Sequence, residues 1–310
     1  MSYSPEEKSL NLKEKSLIIK EESYPLTNIN SKERETLNSE FQPKKQIAIA
    51  YMVAGMSSRF GGKIKQFARI GPDNETLIEY SINQAIKAGF NKIIFIVGEK
   101  TKLLFREMFG NNYKEIPIEY TFQNYDKEKR DRPWGTVDAV CTLKGINHPV
   151  VVCNGDDIYG EETFQILFNH LKNNNHEATV GYSLLSVIPE HGAVHRGVFK
   201  INKDNQIIDL KETFNIEKSK LHLIDINPND LVSMNIWALF PESIEKLNQQ
   251  LEKFRQTNFN SRTAECLLPD EIGNLIKTNQ IKMQLYPTNS KWFGVTSPDD
   301  EIKVRESLAQ

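Results

Sequence analysis

A loop rich in small residues carries the residue types that could bind phosphate groups. The segment 53–67 reads VAGMSSRFGGKIKQF and follows the apolar run 47–52, IAIAYM. Small residues let backbone N–H groups approach an anion closely, and Arg59, Lys63 and Lys65 bring positive charge to the same loop. We predict that this loop binds the phosphates of a nucleoside triphosphate.

The glycine spacing of this loop excludes two common phosphate-binding motifs. A P-loop needs G-x-x-x-x-G-K-[ST], but Gly62 and Lys63 are followed by Ile64, and no glycine lies five positions before Gly62. A dinucleotide-binding G-x-G-x-x-G is also absent, since Gly55 is followed two residues later by Ser57. The remaining pattern is A-G-x-x-x-R with a lysine six residues after the arginine.

A second group of polar residues follows the apolar run 150–153. The residues are Asn154, Gly155, Asp156 and Asp157. A carboxylate at the end of a buried strand is well placed to hold Mg²⁺, which prefers carboxylate and phosphate oxygens together. The alternative is a turn whose side chains cap the next helix. The phosphate-binding loop favours the metal site over the turn.

These motifs resemble the nucleotidyltransferases that activate sugar phosphates, whose loop reads roughly A-G-x-G-x-R with a downstream P-K. The chain departs from that pattern at Ser57, where a glycine often stands, and at Ile64, where a proline usually precedes the lysine. The resemblance implies that Arg59 and Lys65 are catalytic and that Asp156 is catalytic and coordinates Mg²⁺. It also implies that the loop contacts the nucleotide through Ala54, Gly55, Met56 and Ser57.

The resemblance extends along the rest of the chain in the correct order. It implies that Gln123, after the third predicted strand, and Gly135 and Thr136, at the start of a helix, contact the nucleobase. A helix start offers free N–H donors and partial positive charge, which suits this role. For the acceptor, the resemblance implies contacts from Gly197, Glu212 and Asn235. In the family's E-K segment a lysine follows the glutamate, whereas here Lys211 precedes Glu212 and Thr213 follows it.

One departure concerns the metal. The segment 292–298, WFGVTSP, aligns with the family's W-x-D-I-G-T-P, whose aspartate is the second Mg²⁺ ligand. Gly294 stands at that position and supplies no carboxylate. We therefore expect Asp156 to hold the ion with phosphates, water or a neighbour such as Asp157, Asp299 or Asp300.

From residue 46 onward, segments with the apolar pattern of strands alternate with segments with the apolar pattern of helices. Strand-length apolar runs at 47–53, 92–97, 118–122 and 150–153 are separated by helical patterns. This order predicts an α/β fold with a Rossmann-like, mainly parallel sheet flanked by helices, similar to the GT-A-like nucleotidyltransferase fold. Ligands on such sheets lie at the carboxyl ends of the strands. Beyond residue 161 we predict a hairpin at 197–210 and one long strand at 231–240.

The composition excludes some classes of function. The 310 residues carry a net charge of −2, which gives no reason to expect nucleic acid as a partner. No apolar run approaches the roughly 20 residues that span a bilayer, so we expect no membrane association and a cytoplasmic location. Residues 1–45 are predicted to be a disordered or loosely docked extension, because their charged, polar composition offers little apolar surface to bury. Residues 46–310 are predicted to be one domain, with a nucleotide half at 46–160 and a sugar-phosphate half at 161–310.

The sequence and the resemblance together favour one function. We expect transfer of a nucleoside monophosphate from an NTP to a sugar 1-phosphate, which yields an NDP-sugar and pyrophosphate, with Mg²⁺ as cofactor. Two alternatives stay open: a cytidylyltransferase for phosphocholine or a polyol phosphate, and a catalytically silent regulator that binds nucleotide sugars. The nucleobase, the acceptor and a homo-oligomeric state are left open as well.

Overall fold

Strand β1 (Ala48–Met52) occupies the interior of a mixed sheet, where its residues are almost entirely buried. In this computed structural model the described residues are 45–55, 64–223, 226–294 and 298–308. β1 is flanked by β2 (Lys92–Val97) and β5 (Val150–Asn154), and both pair with it in parallel. β4 (Ile116–Phe122) extends the parallel sheet beyond β2, and the short β3 (Asn112–Tyr113) forms its edge. The predicted α/β fold, with a Rossmann-like, mainly parallel sheet flanked by helices, is confirmed.

The sheet continues beyond β5 mainly with antiparallel strands. Their bounds are β7 Glu177–Ser183, β8 Val194–Ile201, β9 Ile207–Ile216, β10 Leu231–Val232, β11 Trp237–Leu239 and β12 Met283–Thr288. Across the described residues the order is β3-β4-β2-β1-β5-β11-β7-β10-β8-β9, and β12 pairs with β7 in parallel. The two-stranded pair of β6 (Asp157–Ile158) and β13 (Phe293–Gly294) lies outside this sheet.

The long strand predicted over 231–240 is wrong. The chain forms β10 and β11 instead, and Asn235 between them has a φ of 59°. This left-handed conformation ends an extended strand, and asparagine tolerates it better than most residues. The predicted hairpin is confirmed, because β8 and β9 pair in antiparallel fashion. Asn205 in the turn between them also has a positive φ.

Helices cover both faces of the sheet. Their bounds are Leu77–Ala88, Lys102–Phe109, Thr136–Cys141, Glu161–Asn173, Leu184–Val187, Pro241–Thr257, Leu268–Lys277 and Pro298–Leu308. The first of them begins with a capping box between Thr76 and Glu79 and ends at Gly89. Two large apolar clusters lie on opposite faces of the sheet, and a smaller third cluster contains Ile70, Leu77, Ile158 and Val304. Alternating residues of β1 show this division, because Ile49 and Tyr51 belong to one cluster while Ala48 and Ala50 belong to the other.

Residues 45–310 group into one compact unit, and no described helix is long and apolar enough to cross a membrane. The division of this unit into a nucleotide half and a sugar-phosphate half stays a prediction. The predicted extension at 1–45 lies outside the described residues except for Lys45, whose amine donates a hydrogen bond to the Leu171 carbonyl at 2.7 Å.

Candidate functional site

A first cavity of about 430 Å³ opens at the carboxyl ends of the parallel strands. Its wall includes five of the residues predicted to contact the nucleotide, which are Ala54, Gly55, Gln123, Gly135 and Thr136. Met56, Ser57 and Arg59 lie outside the described residues. The location agrees with the general placement of ligands on open parallel sheets.

The amide of Gln123 is fixed by its neighbours. Nε2 donates to the Gly135 carbonyl at 3.0 Å and to Asp138 Oδ2 at 2.9 Å, and Asp138 also accepts from Arg255 Nη2 at 2.5 Å. Both partners of Gln123 are acceptors, which fixes the amide nitrogen toward them. The amide oxygen is therefore the atom that remains for a ligand in the first cavity.

The helix start at Gly135 is held against a distant segment of the chain. Gly135 has a φ of 99°, and a Cβ at this position would lie 2.5 Å from the Cys266 carbonyl oxygen. The Cys266 N–H donates to the Trp134 carbonyl at 2.7 Å, and the Leu268 N–H donates to Thr136 Oγ1 at 2.8 Å. This wall of the first cavity therefore depends on close backbone packing that only glycine allows.

Trp134 is half-buried and packs against other side chains of the protein. The Arg130 guanidinium lies 3.3 Å from the centroid of its ring, and Phe254 contacts it edge-on. Arg130 also donates to the Arg132, Ser261 and Ala264 carbonyls. These bonds join the loop before Gly135 to the segment that covers it.

Lys65 and Asp156 are brought together, although 91 positions separate them in the sequence. Lys65 Nζ lies 3.4 Å from Asp156 Oδ2. The Lys65 side chain is 15% exposed and that of Asp156 is 34% exposed, so the carboxylate remains open on one side. The pair can place positive charge and a cation-binding carboxylate beside the same phosphate group.

A hydrogen-bond network extends from the end of β5 to the strand break at Asn235. Asn154 Nδ2 donates to Asp157 Oδ2 at 2.8 Å, and Asn235 Nδ2 donates to Asn154 Oδ1 at 2.7 Å. Trp237 Nε1 in turn donates to Asn235 Oδ1 at 2.9 Å. Burial and the neighbouring Asp156 charge raise the pKa of Asp157 to about 7, while bonds from Asn154 and the hydroxyl of Tyr159 act in the opposite direction.

A second cavity of about 300 Å³ lies beyond this network. Its wall brings together Gly197, Glu212 and Asn235, the three residues predicted to contact the acceptor. Gly197 pairs with Glu212 across the β8–β9 ladder. Burial, followed by the charge of Asp270, raises the pKa of Glu212. Asn154 lines both cavities, so the two spaces adjoin at the end of β5.

Trp292 lines the second cavity and was not among the predicted site residues. A Cβ on Gly294 would lie 2.5 Å from its ring. Gly294 pairs with Asp157, and the Asp157 Oδ1 atom would lie 3.4 Å from the same added Cβ. A carboxylate at position 294 therefore cannot fit while the indole stays in place. Asp157 and Arg196 line the same cavity, and the adjacency of Asp157 to Asp156 was the sequence signal for the former.

The described residues contain no group of three or more His, Cys, Asp or Glu side chains that could hold a metal ion unaided. Asp156 and Asp157 nevertheless provide two adjacent carboxylates. Mg²⁺ is commonly held by one or two carboxylates together with substrate phosphates. The donor set thus fits an ion that arrives with a nucleotide. Asp299 and Asp300, which were also considered, have side chains outside the described set.

Comparisons with known proteins agree with this geometry. The sequence model of the family described as "Nucleotidyl transferase" matches residues 62–305. No curated protein matches the chain by sequence. Similar solved structures include the inositol-1-phosphate CTP transferase from T. maritima, with 16% identity, a TM-score of 0.61, and coverage of 87% of this chain and 97% of that one.

Two further solved structures share the fold. A UDP-glucose pyrophosphorylase in complex with UDP-glucose is 15% identical, with a TM-score of 0.60 and coverage of 86% of this chain and 98% of that one. The CTP:phosphocholine cytidylyltransferase from Streptococcus pneumoniae is 13% identical, with a TM-score of 0.56 and coverage of 85% and 99%. Identities this low support the fold and leave the substrate open.

Proposed function

Because the chain belongs to the nucleotidyl transferase family, we propose that it transfers a nucleoside monophosphate from an NTP to a sugar 1-phosphate. The products are an NDP-sugar and pyrophosphate. The observation that carries the proposal is the junction of two cavities at Asn154, with Asp156 two residues further along the chain and paired with Lys65. A transfer between two substrates needs two adjoining spaces and a charged group where they meet.

In the proposed reaction, an oxygen of the acceptor phosphate attacks the α-phosphorus of the NTP. A new P–O bond forms while the bond between the α-phosphorus and the bridging oxygen breaks, and pyrophosphate leaves with that electron pair. The acceptor phosphate is already an anionic nucleophile, so no strong general base is needed. The protein must instead hold two anions together and neutralise their charge.

Different residues of the chain bind the base, bind the phosphates and neutralise the charge. Gln123, Gly135 and Thr136 hold the base, and the loop from Ala54 to Arg59 cradles the phosphates. Lys65 neutralises the α-phosphate. Asp156, with Asp157 beside it, would hold Mg²⁺, which supplies charge neutralisation at the phosphate oxygens when bound.

The polar lining of the second cavity supports a hydroxylated acceptor. Glu212, Asn235 and Ser233 offer carboxylate, amide and hydroxyl groups that hydrogen-bond sugar hydroxyls. A polyol phosphate presents similar hydroxyl groups, and the similarity to an inositol-1-phosphate CTP transferase keeps that acceptor as the second candidate. These phosphorylated metabolites suit a cytoplasmic enzyme, and a homo-oligomer is compatible with the proposal.

Pyrophosphate release tests the proposal directly. The purified chain is incubated with Mg²⁺, each of the five common NTPs, and glucose 1-phosphate, inositol 1-phosphate or phosphocholine. We expect release with a sugar 1-phosphate and a strong loss in Lys65→Ala. Lys87→Ala is the matched control, because Lys87 pairs with Glu161 on the exposed surface.

Each contrary outcome identifies one alternative. Release with phosphocholine or inositol 1-phosphate alone would support the alternative acceptors. Tight NTP binding without turnover of any pair would support the regulatory alternative, for which the missing carboxylate at Gly294 is the structural argument. Wild-type rates in Lys65→Ala would remove the role assigned to that lysine.

A further inference from the structure

Arg196 is a partly buried cation without a carboxylate partner. None of the ion pairs formed by the described residues includes it. Nη1 and Nη2 donate to the His195 and Val187 carbonyls at 2.9 and 3.1 Å. Nε is buried and has no hydrogen-bond partner. Asp157 and Glu212 act on this guanidinium electrostatically, but neither forms an ion pair with it, so its N–H groups can still take an anion directly.

The guanidinium belongs to the wall of the second cavity. Its central carbon lies 5.6 Å from the centroid of the Trp292 ring, and both side chains line that cavity. Trp292 Nε1 is also buried without a hydrogen-bond acceptor. Two N–H donors that lack acceptors therefore lie in one wall. A ligand with anionic oxygens would satisfy both groups after a small side-chain adjustment.

The same geometry argues against a quaternary ammonium acceptor. Such a group binds over the faces of aromatic rings, and one face of Trp292 already carries the Arg196 cation. A second cation beside the first would be repelled. Asp157 and Glu212 add negative charge to the same wall, so the anionic group must lie at Arg196 while hydroxyl groups face the two carboxylates.

We propose that Arg196, supported by Trp292, binds the phosphate group of the acceptor. The inference rests on the proposed function and names a binding residue for the same reaction. Arg196 would hold the attacking phosphate while Lys65 neutralises the phosphate under attack. The two cations would then lie on opposite sides of the transfer.

The test separates acceptor binding from NTP binding and from turnover. We compare Arg196→Met and Arg196→Lys with Arg106→Met, a control whose guanidinium also lies over an aromatic ring, Tyr120 at 5.3 Å. We expect Arg196→Met to raise the acceptor KM by about 10- to 100-fold, the loss of one charge-assisted contact. Arg196→Lys should recover part of this loss. The NTP KM and the affinity for a non-hydrolysable NTP should stay unchanged in all three variants.

A binding measurement decides the inference without turnover. Inorganic phosphate and glucose 1-phosphate are titrated while tryptophan fluorescence is recorded, and Trp292→Phe identifies the signal from that ring. We expect a saturable change in the wild type that is lost in Arg196→Met and absent with free glucose. Equal phosphate responses in the wild type and Arg196→Met would overturn the inference. A phosphate response that depends on Arg196, without turnover, would support it while the proposed function fails.

Discussion

The walls of the two cavities differ in the residues that form them. The first lies at the ends of parallel strands, where small residues such as Ala54, Gly55 and Gly135 bring backbone to its wall beside charged residues such as Glu99 and Lys100. The second lies against an antiparallel hairpin and presents the charged side chains of Asp157, Arg196 and Glu212. Backbone geometry is set by the fold, whereas side chains can change between relatives without altering the fold.

The comparison explains why acceptor choice is the harder property to read from the sequence. Residues of the first cavity follow directly on strands whose apolar runs are visible in the sequence. Residues of the second cavity come from β8, β9, the break at Asn235 and the segment at Trp292. These four segments meet only in the folded chain. We expect substitutions in the two cavities to affect different kinetic constants.

The largest effect is expected at Asp156, two residues after Asn154, which lines both cavities. Asp156→Asn removes a carboxylate charge beside Lys65, and we expect kcat to fall by roughly 10³-fold with every acceptor, as for loss of a major electrostatic group. Mn²⁺ binding in the presence of NTP, followed by electron paramagnetic resonance, should weaken in parallel. Asp204→Asn in the exposed hairpin turn is the control. A loss confined to one acceptor would break the assignment of Asp156 to the shared site.

The next effect tests the rigid wall of the first cavity. Gly135→Ala introduces a Cβ at positive φ and against the Cys266 carbonyl, and we expect a loss of about 3 kcal/mol in the free energy of unfolding. Gly145→Ala is the matched control, because Gly145 has a φ of +91° and no atom within 4 Å of an added Cβ. It should lose about 1–2 kcal/mol. Denaturant titration measures both, and equal losses would refute the role of the Cys266 contact.

Local signals explain how much of the fold could be predicted. The helix Leu77–Ala88 is visible in the sequence because a capping box begins it and Gly89 ends it. The break at Asn235 was not visible, because it depends on hydrogen bonds from Trp237 and to Asn154, which is 81 positions away. Similarly, although Trp292 is only two residues from Gly294, the sequence does not reveal that its ring fills the space of a side chain there. Local capping and periodicity were readable, whereas contacts between particular side chains required the fold.

A smaller, selective effect is expected from Glu212. Glu212→Gln keeps the size of the side chain but removes its charge from the second cavity. We expect the acceptor KM to rise by about tenfold, the cost of weakening a hydrogen bond to a charged group. The NTP KM should stay constant, as measured by varying each substrate at saturation of the other. A change in the NTP KM instead would show that the two cavities are not separate in function.

The smallest effect is expected at Glu177, a carboxylate that is buried in the core and, unlike Glu212, does not line the second cavity. Glu177 is buried at the start of β7 and accepts a hydrogen bond from Ser243 Oγ, and burial raises its pKa. A pKa that is higher in the folded state makes a contribution to stability that is complete below the ordinary glutamate range. That contribution is lost as the pH rises through the folded-state pKa.

The Glu177→Gln variant should therefore lose less of its unfolding free energy than the wild type as the pH rises from about 4 to about 7. Denaturant titrations at several pH values measure the difference, with exposed Glu107→Gln as the control. Because Glu177 does not line the second cavity, the acceptor KM should not change. A raised acceptor KM would show that Glu177 affects acceptor binding without contacting the acceptor.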